Sequence, residues 1–356
     1  MKLLVTGGAG FIGSNFIRHW LANHPDDEIV NYDKLTYAGT RESLKDIEAS
    51  ENYKFVWGDI CDLFLVQKTL RENSIDTIVH FAAQTHVDRS ILASQKSKQA
   101  KDVVDLFTES LSEDFVLNNV WGTHVLLEAA LKHGVKRFHH VSTDEVFGSL
   151  PLGSEEKWSE DACYNPRSPY SASKAAADHL VRAYHSTYGL PITVTNCANN
   201  IGPYLFPEKF LSLAITNLLE GKKTSVYAPG NQIREWLWVG DHIRAIELVL
   251  QQGKVGETYF VSPDNPELPN LEVIKKVLEI MNLGEDMIEL VKDRPGHDQR
   301  YAMDSGKIRQ MLGWKPEVGI DDALVKLVSW YRENEWWWKP LKEKNKKFYT
   351  EQYGNR

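Results

Sequence analysis

KLLVTGGAGFIGSNFIRHWLAN, residues 2–23, is the stretch whose reading decides the fold. Lys2 to Thr6 is a short apolar run that reads as a buried strand, and Ser14 to Asn23 reads as a helix. Between them stand Gly7, Gly10 and Gly13. Glycines at these positions permit a tight turn, a close backbone approach to a pyrophosphate, and close packing of helix on strand. The phosphates then sit at the helix N-terminus, which favours anions, with Phe11 and Ile12 as cofactor contacts. A glycine turn between a strand and a helix is the context that makes this pattern a dinucleotide fingerprint.

Working outward, a second strand-like run, Glu28 to Tyr32, ends at Asp33, about 20 residues beyond the last glycine. An acid there hydrogen-bonds the adenosine ribose and repels a 2′-phosphate, so NAD is expected rather than NADP. Lys34 and Arg41 are the contrary signals, since either can pair with that phosphate. Asp59, with Ile60 beside it, follows the run Lys54 to Trp57 and is placed to meet the adenine edge.

Further apolar runs at Thr77 to Ala82, Arg137 to Val141 and Ile192 to Asn196 alternate with helical stretches at Phe64 to Asn73, Phe115 to His133 and Pro169 to Tyr188. Such alternation predicts an α/β fold with a doubly wound parallel sheet. Gly134 and Gly189 sit where C-terminal helix caps belong. Ala82-Ala83-Gln84, Ser142 to Glu145 and Asn196 to Asn200 each follow a strand, so they are expected to converge on one cleft. Prolines break the pattern after Cys197. The expected division is a Rossmann domain over 1–196 and a smaller mixed α/β substrate domain over 197–356. Trp236 to Val239 and Thr258 to Val261 are expected to return to the main sheet. Trp336 to Trp338 read as packing the tail against the body. Leu92 to Glu113 has the spacing of a short amphipathic helix: a flap, an oligomer contact or a passive excursion.

A formal charge of −8 argues against a nucleic-acid partner. Three scattered cysteines, Cys61, Cys163 and Cys197, suit neither a disulfide framework nor a zinc site, and no metal is expected. No stretch is long and apolar enough to span a membrane, and a cytoplasmic location is expected.

The chemistry is carried by Ser-Thr-Asp-Glu-Val-Phe-Gly (142–148) and Tyr-Ser-Ala-Ser-Lys (170–174). Tyr170 and Lys174 lie one helical turn apart on one face. A nearby ammonium favours phenolate and is expected to lower the tyrosine pKa toward neutrality, making Tyr170 a base for a hydroxyl proton. Asp144 and Glu145 add two proton carriers. A base plus an acid/base pair suggests elimination as well as oxidation.

These residues resemble the extended short-chain dehydrogenase/reductase superfamily, and within it the nucleotide-sugar 4,6-dehydratases, over nearly the whole chain. Further marks are Asp-Lys-Leu-Thr-Tyr-Ala-Gly (33–39), Phe-Ala-Ala-Gln-Thr-His-Val-Asp-Arg-Ser (81–90), Gly-Asn-Gln-Ile-Arg-Glu-Trp (230–236) and Asp-Arg-Pro-Gly-His-Asp-Gln-Arg-Tyr (293–301). The resemblance implies tightly held NAD, contacted also by Ala82 and Ala83, and a dTDP-sugar substrate, with UDP-glucose the nearest competitor. It implies that Tyr170 takes the sugar C4 hydroxyl proton and that Lys174 supports it and binds the nicotinamide ribose. Thr143 would hold the C4 oxygen, Glu145 remove the C5 proton, and Asp144 protonate the departing C6 hydroxyl. Asn119, beside Asn118, matches an asparagine supporting Tyr170 and Lys174.

For the sugar nucleotide the implied contacts are His86, Ser90 and the pair Asn199 and Asn200, with Asn200 favoured. Glu208 and Lys209 would lie near the base, and Arg234 and Arg294 on the diphosphate. His297 and Tyr301 stand behind the arginines, and Asn265 or Asn270 would touch ribose or phosphate. A homodimer built on the Phe115 and Pro169 helices is implied as well. Ile201, Leu205, residues 261–270 and the length of Leu92 to Glu113 depart from the family pattern.

Overall fold

Alternate side chains of the first strand belong to different cores, which sets the sheet between two helical layers. The structure, a computed structural model, describes residues 1–91, 115–263 and 266–346. The alternating half runs β1 (Lys2–Thr6), α1 (Phe11–Asn23), β2 (Glu28–Asp33), β3 (Tyr53–Trp57), α2 (Leu63–Glu72) and β4 (Thr77–His80). It continues through α3 (Gly122–His133), β5 (Arg137–Thr143), α4 (Pro169–Tyr188) and β6 (Ile192–Cys197). The remainder comprises β7 (Asn199–Ile201), α5 (Phe210–Leu219), β8 (Thr224–Tyr227), β9 (Ile233–Arg234), β10 (Trp236–Trp238), α6 (Val239–Gln252) and β11 (Thr258–Val261). It ends with β12 (Leu268–Pro269), α7 (Asn270–Met281), β13 (Ile288–Val291), α8 (Gly306–Leu312), α9 (Ile320–Glu333) and α10 (Glu335–Lys344).

Seven parallel strands form the main sheet in the order β11-β6-β5-β4-β1-β2-β3. Leu4 packs into one core with Val66 and Leu70 of α2, Val125 and Leu126 of α3, and Val181 of α4. Leu3 and Val5 face the other way, toward Phe16 and Trp20 of α1 and Ile243 and Ile246 of α6. Strand β1 pairs with β2 on one side and β4 on the other, so the winding reverses there. That reversal opens a crevice beyond the strands' carboxyl ends, the usual place for a ligand in such sheets.

A second core lies around α5, α7 and α9 and takes in Trp337 and Trp338. A third, with Phe147, Trp158, Leu237, Phe260 and Tyr301, joins it to the sheet. Ile201 is fully buried in the second core, and Trp336 is half exposed.

Two expectations are corrected. Thr258–Val261 is the seventh strand of the main sheet, but Trp236–Trp238 is not part of it and pairs instead with Asn199–Ile201 in a two-stranded ribbon. The cause is local: Ala198 still donates to Val261 O, whereas Asn199 donates to Glu235 O, so the chain changes partner within one residue. The continuous helix expected from Phe115 begins instead as a wide π-helical turn, Val116–Trp121, before α3. Such turns are frequent at functional sites, and this one carries Asn119 toward the loop after β4. The Leu92–Glu113 segment and Asn265 lie outside the described residues.

Trp338 is fully buried and its indole N–H donates to Tyr331 O at 2.8 Å. Trp338→Ala is expected to destabilise the fold by about 3–5 kcal/mol, read as a lowered urea midpoint.

Candidate active site

A cleft of about 810 Å³ runs along the carboxyl ends of β1, β4, β5 and β6. Its dinucleotide end is built by the glycine turn. Gly7 has φ +73°, and a Cβ there would stand 2.6 Å from Ala82 N, so only glycine lets the two loops meet. A Cβ on Gly13 would collide with Gly7 O, whereas one on Gly10 meets nothing closer than Gly7 O at 3.3 Å. Gly10 caps α1 without a side-chain bond, and Gly10, Phe11 and Ile12 line the cleft. The first-turn amides of a 13-residue helix are thus presented to it, a ready anion site.

Asp33 closes this end. Its carboxylate accepts from Ala9 N at 2.9 Å and Leu35 N at 2.8 Å. Burial pushes its carboxyl up, and those two amides oppose the rise. The contrary signals are resolved by ion pairs. Lys34 lies 2.6 Å from Asp59, and Arg41 lies 2.9 Å from Glu48. Asp59 also accepts from Cys61 N. Ile60, Ala82 and Ala83 complete the wall. The residues present therefore fit a dinucleotide with a free 2′-hydroxyl.

The reacting end is set by Thr143, the last residue of β5. Its hydroxyl accepts from Glu145 N at 3.2 Å and donates to Asp144 Oδ1 at 3.1 Å. The short 3₁₀ turn Asp144–Phe147 follows, so both acids face the cleft directly after a buried strand. Their surroundings differ. Burial pushes the Asp144 carboxyl well up, and the neighbouring Glu145 adds to it. Asp144 Oδ2 has no hydrogen-bond partner among the described residues. Burial also raises Glu145, but Arg294, Lys209 and Arg234 pull it back. Asp144 thus favours its protonated form, and Glu145 is the more readily ionised of the two.

Tyr170 and Lys174 enter from α4, whose capping box at Ser168 and Ser171 and Pro169 in its first turn fix its start. The expected depression of the Tyr170 pKa does not occur in the chain itself. Burial drives the phenol well above 10, and Glu145, Cys197 and Asp144 add to this, while a hydrogen bond with Thr143 opposes it. The Lys174 ammonium is committed to Val141 O at 2.9 Å. Asn119, rather than Asn118, makes the supporting bonds: it accepts from Gln84 N at 2.8 Å and donates to Gln84 O and Ser173 Oγ.

The wider end of the cleft is lined by His86, Asn199, Asn200, Glu208 and Lys209, and by Arg234, Asn270, Arg294, His297 and Tyr301. Arg234 lies 4.0 Å over the Tyr301 ring and donates to Asp298 O and Ile233 O. Asn200 spends its side chain on Ala198 O and His242, whereas Asn199 Oδ1 has no hydrogen-bond partner among the described residues. Glu208 is held by Arg89 at 2.8 Å, and Leu205 reaches the wall. Ser90 lies off the cleft wall, one helical turn after His86, with its hydroxyl donating to Val87 O. Sequence reading passed over Asp88, which faces the cleft, lies 3.1 Å from Arg294 and accepts from Tyr227 Oη at 3.0 Å. Burial would raise it, but Arg294 overrides and holds it at about 2.

The family model described as GDP-mannose 4,6 dehydratase matches residues 4–327. A dTDP-glucose 4,6-dehydratase from Escherichia coli is 45% identical over 95% of each chain. The chain belongs to the dTDP-glucose 4,6-dehydratase family. Its relative from Streptomyces niveus is 46% identical over 96% of each. The crystal structure of DesIV (dTDP-glucose 4,6-dehydratase) from Streptomyces venezuelae with NAD and TYD bound superposes with a TM-score of 0.87 at 46% identity, covering 96% of this chain and all of that one. The resemblance to extended short-chain dehydrogenases/reductases is thereby upheld in fold and sequence.

The raised Asp144 pKa has a consequence for stability. A carboxyl whose pKa is higher folded than unfolded stabilises the fold below the ordinary carboxylate range and loses that contribution as pH rises through the folded value. Asp144→Asn is therefore expected to melt higher than the native protein at pH 8, by about 1–3 kcal/mol. The gap should close at pH 4, as scanning calorimetry at the two pH values will show.

Proposed function

We propose that this chain is an NAD-dependent dTDP-glucose 4,6-dehydratase yielding the 4-keto-6-deoxy sugar. The observation that carries the proposal is the pair Asp144 and Glu145, adjacent in sequence beside Tyr170 and Lys174, both raised by burial, with Asp144 pushed well up and Glu145 held back by the cations around it. An enzyme that only oxidises an alcohol needs one base. Protonated and ionisable carboxyls side by side suit removal of one proton and delivery of another, which is elimination of water.

When bound, NAD supplies a hydride acceptor that is regenerated within the same turnover, together with a pyridinium charge. The chain's own residues move the protons. Tyr170 Oη takes the C4 hydroxyl proton as phenolate, the form that the Lys174 ammonium and the pyridinium charge of bound NAD would favour against its burial, and Thr143 Oγ1 holds the C4 oxygen. The resulting C4 ketone acidifies C5–H, which Glu145 removes as carboxylate and, then as the acid, returns to C5 when C6 receives the hydride back. Asp144, kept protonated by burial, delivers its proton to the C6 hydroxyl so that it leaves as water. Lys174 fixes a cationic N–H toward the ribose beside Tyr170. The Gly7–Gly13 turn and Asp33 hold the pyrophosphate and ribose. Arg234 and Arg294 suit the substrate diphosphate, arginine being the cation best shaped for phosphate oxygens. Glu208 and Lys209 suit the base.

A homodimer through α3 and α4 is part of the proposal. Trp121, His124, Tyr184 and Tyr188 form a ladder of ring contacts across the two helices, at 5.1, 6.0 and 5.2 Å. Its end members Trp121 and Tyr188 are exposed. Exposed aromatic rings at both ends of one ladder support a partner on this face. None of the described helices is long and apolar enough to cross a membrane.

Purified protein given dTDP-glucose without added reductant is expected to yield a product lighter by one water, by mass spectrometry, with no net NADH. UDP-glucose is expected to react more slowly by about tenfold, one methyl contact being worth 1–3 kcal/mol. Loss of water from neither sugar would overturn the proposal. Glu145→Gln should retain NAD while turnover falls by about 10²–10⁴-fold. In Tyr170→Phe, NADH appearing within a single turnover would contradict the role given to the phenol.

A further inference from the structure

Lys174 is buried, and one helical turn along α4 Asp178 is buried completely. A carboxylate with no access to water must find its partners in the protein. Asp178 finds four, from three other parts of the fold. Ser142 Oγ on β5 and Tyr164 Oη in the loop before α4 each donate to it at 2.8 Å. Asn196 Nδ2 on β6 donates at 3.4 Å, and His140 Nε2 on β5 lies 3.0 Å away. The same His140 Nε2 lies 3.4 Å from Lys174 Nζ, so the imidazole stands between ammonium and carboxylate. With its N–H directed at Asp178, the ring offers Lys174 no acceptor, and the ammonium turns to Val141 O. Asp178 itself is not on the cleft wall.

We propose that Asp178 is a positioning residue: its buried negative charge keeps Lys174 cationic, and its bonds to Ser142 and His140 tie the end of β5 to the helix that carries Tyr170 and Lys174. The inference rests on the dehydratase reading for the reaction it serves. Ser142 immediately precedes Thr143, Asp144 and Glu145, and Asn196 also donates to Thr143 O at 2.9 Å. One carboxylate therefore holds both halves of the proton machinery in register. The electrostatics agree. Burial lowers the Lys174 pKa, and Asp178 is the foremost group pulling it back up, ahead of Cys197. Burial would raise Asp178, but His140, Lys174 and Ser142 keep it low, so it stays ionised.

The other titratable groups facing this cluster do not replace it. His140 is held at about 4 by burial and by Lys174, and is neutral. His80 of β4, its ring tilted against that of His140 with centroids 5.2 Å apart, is pushed well down by burial. Cys197 of β6 is pushed up to about 12 by burial and stays a thiol. Arg182, farther along α4, donates to Tyr164 Oη at 2.9 Å and brings a cation rather than an anion.

The test is the pH dependence of kcat on holoenzyme with dTDP-glucose. Removing the negative charge makes Lys174 lose its proton at lower pH. Asp178→Asn is therefore expected to bind NAD normally while the alkaline limb moves about one pH unit toward neutrality. Asp178→Glu, which keeps the charge, should restore the limb. Tyr164→Phe removes one hydrogen bond to the same carboxylate and should leave the limb in place. A profile for Asp178→Asn that superimposes on the native one overturns the proposal, as does an equal shift in Tyr164→Phe. If Asp178→Asn does not fold, NMR of the native enzyme labelled at lysine Cε decides: Lys174 is expected to remain an ammonium across the pH range of activity, and a neutral amine there overturns the proposal. Failure of the dehydratase reading is recognised separately, by native enzyme that removes water from neither sugar nucleotide.

Discussion

The hydroxyl of Thr143 is the constraint on which the site depends. It terminates β5, caps the turn at Glu145 N and donates to Asp144 Oδ1. One short side chain thus holds the Asp144 carboxyl directly and fixes the backbone from which Glu145 projects. Without it the acids would sit on a free loop, and loops place side chains less precisely than strand ends do. Because the strand end is dry, the protein sets their protonation. Burial raises both acids and Arg234 opposes the rise in both, whereas Arg294 and Lys209 pull on Glu145 and separate them.

The same dryness makes the site expensive. Asp144 Oδ2, Asn199 Oδ1, Glu208 Oε1 and Asn270 Oδ1 are buried without hydrogen-bond partners among the described residues. All four residues line the cleft. Unsatisfied buried polar atoms cost roughly 1–3 kcal/mol each, and these four stand where polar groups of a ligand can meet them. The seven-stranded sheet and its two flanking cores carry that cost. The close meeting of Gly7 with Ala82 then brings the cofactor end of the cleft against the reacting end.

Much of this was legible in the sequence because it was local. Strand β1, the glycine turn, Asp33, the capped helix at Pro169 and the acid pair each lie within a few consecutive residues. The sheet follows from alternating periodicity, and the family from motifs distributed over the whole chain. The unread parts are those in which distant segments decide. Trp236–Trp238 looks like any strand, and only the change of partner at Ala198 removes it from the main sheet. Ser90 belongs to a recognisable motif, but its hydroxyl is turned away by one helical turn. The Tyr170 phenol was expected to fall because Lys174 is near in sequence. Burial and two carboxyls outweigh that nearness. Asp178 and Asp88 passed unnoticed for the same reason: an aspartate in a helix or loop is ordinary until the fold brings His140 or Arg294 against it.

The central claim is that oxidation, elimination and reduction occur on one sugar within one closed site. Its most direct test is dTDP-glucose carrying deuterium at C4, followed by NMR of the product. The account predicts that the deuterium appears at C6 of a product that has lost one water. Deuterium retained at C4, or lost to solvent, would contradict it.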